Sequence, residues 1–217
     1  MMKKNGFTLA EVLITLAIIG VVATLTLPAL MSNTQEQQAV TAFRKAMNTL
    51  NEVGQMNAAV DGFDYTGVTA ATAPSAAAVY DANGVLNQSV WGMLVSKAQI
   101  DVPASVDGGI PGGCTGLNQA FFRDGTVLCY GAETPSGVSS VVIPAVVDTN
   151  GRKAPNILST CGDVNCATAA QKTISDQFAI TLRGASAIPG TITIDANGTV
   201  TEGADGNSLA SRWAMRK

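Results

Sequence analysis

From Phe7 to Leu30 the chain reads FTLAEVLITLAIIGVVATLTLPAL, with one ionisable side chain, Glu11. A run this long and apolar suffices for one membrane crossing, which takes about 20 residues. An ionised carboxylate inside a bilayer costs roughly 2.5 kcal/mol or more, so Glu11 needs a partner. No later segment approaches the ~18 uninterrupted apolar residues of a second span, and the chain from about Ser32 onward reads as soluble.

A secretory signal has a basic start, a short apolar stretch and a small-residue cleavage site after it. Here Lys3-Lys4-Asn5-Gly6 leads directly into the apolar run, and no A-x-A-like site follows, so the hydrophobic helix is expected to stay on the protein. With Lys3 and Lys4 on the cytoplasmic side, the positive-inside rule sends the remainder outward.

The stretch KKNGFTLAEVLITLAIIG resembles the class III signal of type IV prepilins and type II secretion pseudopilins. The resemblance rests on residues 3 to 30, and Ala10 departs from it mildly, standing where many members carry a bulkier apolar residue. It implies that a membrane-bound prepilin peptidase cuts between Gly6 and Phe7 and methylates the new amine of Phe7. It also implies that Glu11 is the filament-assembly glutamate and that Gly20 and Pro28 loosen the helix. The chemistry is consistent: an α-amine stays cationic when methylated and can meet a buried carboxylate on a neighbouring subunit. One buried polar pair in an apolar packing surface also penalises every misaligned stagger. Pro28 removes a backbone donor, which fits either a stretch that melts in the filament or a plain kink.

The implied partners are other pilin or pseudopilin subunits, the peptidase and the membrane. The implied role is structural, without catalysis. Absence of His removes the usual Ser/His/Asp, Cys/His and zinc-protease arrangements. Loss of Lys3 and Lys4 from the 13 basic residues leaves 11 against 16 acidic ones, a net charge of −5 that suits nucleic acid poorly. Arg212, Arg216 and Lys217 around Trp213 form a small basic cluster, read as a solvated terminus beside a packed Trp. That cluster is the one feature favouring the rival reading, a minor pilin acting as adhesin or DNA-binding module at a filament tip.

The expected organisation is a leader at 1–6, a transmembrane and assembly helix at 7–31, its amphipathic continuation at 32–60 and a globular domain at 61–217. Val40, Phe43, Met47, Leu50 and Gly54 recur at helical spacing and mark the face that docks on the domain. DGFDYTG at 61–67 ends the helix, and TAATAPSAAA at 69–78 reads as a linker. Residues 85–100 hold a short helix with Trp91, Leu94 and Val95 inward. Beyond it the period becomes two. Residues 119–131, around Asp124-Gly125, and 191–200, around Asn197-Gly198, predict hairpins, and 138–148 and 177–184 predict further strands. The fold class is α+β: a long N-terminal helix on an antiparallel sheet of four to six strands, a pilin-like roll.

Cys114, Cys129, Cys161 and Cys166 all fall on the outward side, where two disulfides are expected; of three connectivities, proximity favours Cys114 with Cys129 and Cys161 with Cys166. Zinc is disfavoured, since neither pair has C-x-x-C spacing and no His assists. Major pilins often close a loop near the C-terminus with a disulfide, whereas here 51 residues follow Cys166, which favours a minor pilin or pseudopilin. Residues 146–178 are similar to a loop of pseudopilin-like proteins that in some holds calcium, and the resemblance implies Asp148, Asn150, Asn156 and Asp176 as oxygen ligands. The same Asp-x-Asn-Gly pattern recurs at Asp81–Gly84 and Asp195–Gly198, which supports plain turn chemistry instead.

Overall fold

In the computed structural model, which describes residues 8–68, 79–101, 110, 112–131, 142–162, 166, 172–194 and 199–216, the apolar run and the amphipathic stripe lie on one helix, α1 (Leu9–Val60). The predicted linker at 69–78, residues 138–141 of a predicted strand and the turn at 195–198 lie outside the described residues, as do Gly6 and Phe7. The chain divides into two compact units, Met1–Gln38 and Ala39–Lys217.

In the first unit, Leu9–Leu27 is long and apolar enough to cross a membrane, with a mean hydropathy of 2.3. Its large side chains, among them Leu13, Ile14, Ile18 and Ile19, are exposed. Its polar side chains are satisfied locally: the hydroxyls of Thr15, Thr24 and Thr26 donate to the carbonyls of Val12, Val21 and Val22 at 2.9 to 3.0 Å. Such back-bonding suits a helix with no water beside it. The helix is unbroken across positions 20 and 28.

The second unit is built on a six-stranded antiparallel sheet in the order β1-β2-β3-β4-β7-β8. Its strands are β1 (Ile100–Asp101), β2 (Asn118–Phe122), β3 (Val127–Tyr130), β4 (Ile143–Asp148), β7 (Gln177–Arg183) and β8 (Ser186–Pro189). Two small hairpins join β5 (Thr160–Cys161) to β6 (Lys172–Thr173) and β9 (Ile192–Ile194) to β10 (Val200–Glu202). Two further helices are α2 (Val90–Lys97), which buries Trp91 and Leu94, and α3 (Gly206–Arg216). Asp124-Gly125 makes the β2–β3 turn, with Gly125 in the left-handed region at φ 92° and Asp124 Oδ1 taking the Thr126 amide.

Alternation along the strands separates two cores. On one face Leu128, Tyr130, Ile143, Val147, Phe178, Ile180 and Leu182 meet Phe43, Met47 and Leu50 of α1. The Phe43 and Phe178 rings stack at 4.4 Å, a contact worth about 0.5–1.5 kcal/mol beyond burial. On the other face Val127, Cys129 and Val146 pack with Ile110 and Cys114, so this part of the sheet has no solvent side. Gly54 belongs to the docked face because a Cβ there would lie 2.8 Å from the backbone of Ala185, in the β7–β8 turn. The same turn is held by Tyr65 N–H to the Gly184 carbonyl (3.0 Å) and by the Ala187 N–H to Asn51 Oδ1 (2.7 Å).

Candidate functional site

At the start of α1 the structure supplies Glu11 with a partner from its own chain. Thr8 precedes the first helical residue, and its hydroxyl accepts the Glu11 amide at 3.3 Å. In return Glu11 Oε2 accepts the Thr8 amide at 2.9 Å and the Thr8 hydroxyl at 2.8 Å. This is a capping box, in which a Thr and the Glu three residues on satisfy each other's otherwise orphaned helix-terminal N–H groups. T-x-x-E ahead of an apolar run is the sequence signature of such a box, and Thr8 is its first residue.

The oxygen-rich loop gathers where β4 and β7 end side by side, Asp148 being paired with Gln177. Asp148, Gln177 and Asp176 are buried. Gln177 bridges the cluster to the loop carrying Cys114: its Nε2 donates to Asp148 Oδ2 at 2.9 Å and its Oε1 accepts the Gly113 amide at 2.8 Å. Asp176 takes four donors, the Asn150 side-chain amide (3.0 Å), the Asn156 and Ile157 amides (2.7 and 2.9 Å) and the Ser175 hydroxyl (3.0 Å). Asp148 Oδ1 takes the Asn150 amide, and Asn156, with its side-chain nitrogen turned inward, donates to Asp148 Oδ2 and the Gly151 carbonyl. Burial pushes the Asp148 carboxyl up to about 6, the Gln177 and Asn150 donors work against that rise, and the nearby Asp176 charge adds to it.

The four implied calcium ligands are thus brought together, and protein donors already occupy their carboxylate oxygens. Asn150 Oδ1 is buried without a partner. Among the described residues no group of three or more His, Cys, Asp or Glu is placed to hold a metal ion. At Asp81 the same motif makes an exposed turn, Oδ1 accepting the Asn83 and Val85 amides at 2.8 and 2.9 Å.

Cys114 is joined to Cys129 and Cys161 to Cys166, each with Cα atoms 5.3 Å apart, and among the described residues no cysteine is free. The second bridge is buried with Ala210 of α3. Of the C-terminal basic cluster, Arg212 donates to Glu202 (3.2 Å) and to the Gly203 carbonyl (2.6 Å), while Lys172 sits 4.3 Å over the Trp213 ring. Arg216 is exposed and Lys217 lies outside the described residues.

No curated protein and no solved structure matches the chain. The family described as the prokaryotic N-terminal methylation motif does match, over residues 1–27. Ahead of its apolar helix and α+β domain the chain thus carries the prokaryotic N-terminal methylation motif, the class III signal peptide of type IV pilins and pseudopilins.

Proposed function

We propose that the protein is a structural filament subunit, a minor pilin or pseudopilin of a type IV pilus or type II secretion filament. Prepilin peptidase cuts it after Gly6 and methylates Phe7. Residues 7–31 anchor it in the inner membrane with the N-terminus cytoplasmic, and the globular domain faces outward before assembly. The single observation that carries the reading is the methylation motif with one carboxylate, Glu11, in an otherwise apolar helix. Two oxidised cysteine pairs suit an outward-facing domain. The rival adhesin or DNA-binding reading draws no support from Arg212, whose guanidinium is spent on Glu202 and Gly203. The loop at 148–156 is assigned to turn chemistry rather than calcium, because backbone and amide donors fill the carboxylate oxygens.

Two measurements on one preparation test the proposal. Mass spectrometry of membrane-extracted protein should find a chain starting at methylated Phe7. Expressed beside the wild-type machinery, Glu11→Ala should insert and be cleaved, yet be lost from sheared filaments. A neighbour's amine left buried without its carboxylate costs several kcal/mol, enough to exclude the variant. A mature chain starting beyond residue 20, or Glu11→Ala at wild-type levels in filaments, sinks the reading.

A further inference from the structure

We infer that one corner of the domain, built from the β2–β3 turn and the loop after β4, is a seat for anionic phospholipid headgroups. The inference rests on one part of the filament-subunit reading, the retained apolar helix that tethers the domain to a bilayer. Lys45 of α1 pairs with Asp124 in the turn at 2.8 Å, and Arg123 beside it stands 3.7 Å from Asp101. Gly151 brings the loop after β4 against the same turn, where a Cβ on it would lie 2.8 Å from the Gly125 carbonyl oxygen. The next residue, Arg152, holds its guanidinium 5.2 Å from the centre of the Phe121 ring. Arg152, Lys153 and Ile157 are exposed, and among the described residues neither Arg152 nor Lys153 has a carboxylate partner.

With the leader removed the chain carries 11 basic residues against 16 acidic ones, so as a whole it is repelled by phosphate. At this corner the sign is reversed. Lys45, Arg123, Arg152 and Lys153 stand beside Asp101 and Asp124, while Asp148 and Asp176 under the loop are buried among N–H donors. Ile157 keeps 49% of its surface exposed. An apolar side chain among lysines and arginines suits the boundary between headgroups and acyl chains, where binding combines buried apolar area with attraction to anionic lipid. The chain itself provides the reach. Residues 28–38 link the apolar run to the domain, a tether that spans at most about 40 Å when fully extended. Tethering supplies a high effective concentration, so a patch of modest strength is occupied. Its occupation turns the acidic remainder of the domain away from the bilayer.

The test uses the full mature chain in nanodiscs of phosphatidylcholine, with or without phosphatidylglycerol, each carrying a gadolinium chelate on a headgroup. Phosphatidylglycerol should raise the relaxation enhancement of the Arg123, Arg152 and Lys153 amides roughly threefold or more, measured against the Gly184 amide at the opposite end of β7. Raising the salt to about 0.5 M should remove the difference. Arg123→Gln, Arg152→Gln and Lys153→Gln combined should abolish it while the domain keeps its dispersed spectrum, and Ile157→Ser should weaken it. Equal enhancement in both lipids overturns the seat, and so does a lipid response that survives the three substitutions. Duplex DNA shifting the same amides in phosphatidylcholine nanodiscs, with no response to phosphatidylglycerol, assigns the corner to nucleic acid and overturns the seat as well. If the lipid response is missing while Glu11→Ala is still lost from filaments, the seat falls and the subunit reading stands. If the response is present while Glu11→Ala assembles normally, the seat stands and the filament role falls.

Discussion

Asp148 has no exposed surface, and its neighbours are amide donors and a second carboxylate. Burial raises its carboxyl from an ordinary value near 3.8 to about 6, so between those values the folded protein holds a proton that the unfolded chain releases. Its contribution to stability is therefore fully present below about pH 4 and is lost as pH rises through about 6, an effect on the order of 3 kcal/mol. Denaturant unfolding followed by the buried Trp91 should show Asp148→Asn losing less stability than wild type between pH 4 and 7; parallel curves would remove Asp148 as the source. The comparison between variants is needed because other carboxylates act oppositely. At Asp124 burial is outweighed by the hydrogen bonds from Lys45 and Thr126, which hold its carboxyl low. At this scale the sequence was only partly informative. Asp148, Asn150, Asn156 and Asp176 do converge, but residue types alone do not tell whether oxygens face a cation or backbone N–H groups. Gln177, which ties the cluster to Gly113, stands at the start of a predicted strand, where a lone Gln carries no signal of such a bridge.

Elements were legible where their buried residues are large. The stripe from Val40 to Leu50 and the β2–β3 hairpin are marked by big apolar side chains and by a turn dipeptide that only a few backbones use. β8 and α3 left little trace for a common reason. β8 is Ser-Ala-Ile-Pro, short and closed by a proline, and α3 buries Ser208, Ala210, Ser211 and Ala214, too small to raise an apolar signal. α3 is instead announced by its cap, Asp205 Oδ1 accepting the Ser208 amide at 2.6 Å. Small residues serve where backbones come close, and Gly54 is the sharpest case. Gly54→Ala would set a methyl 2.8 Å from the Ala185 carbonyl and 2.9 Å from the Tyr65 ring. Overpacking of this kind costs typically 1–3 kcal/mol. The urea midpoint should drop accordingly; an unchanged midpoint would mean that the β7–β8 turn yields freely, contrary to its bonds to Asn51 and Tyr65.

Across the whole molecule, cross-links hold what the sheet leaves to loops. The Cys114–Cys129 bridge spans 15 residues and pins the loop that covers the second face of the sheet. On the chain-entropy estimate it contributes about 3 kcal/mol, and the Cys161–Cys166 bridge, spanning 5 residues, about 2 kcal/mol. Replacing each pair by serines should lower the unfolding free energy in that order, and thiol labelling of the denatured, unreduced protein should find no free cysteine. Equal losses, or four reactive thiols, would contradict the pairing or its energetics. No such bridge reaches α3. Its attachment to the far end of the sequence is Arg44 Nε donating to the Ala214 carbonyl at 2.8 Å, with Ala214 in the same core as Phe43 and Leu50. Helix α1 is thus completed by α3, some 170 residues further along the chain. The surface that α1 offers around Arg44 stays uncovered until α3 docks, so a nascent chain halted short of α3 carries an open core.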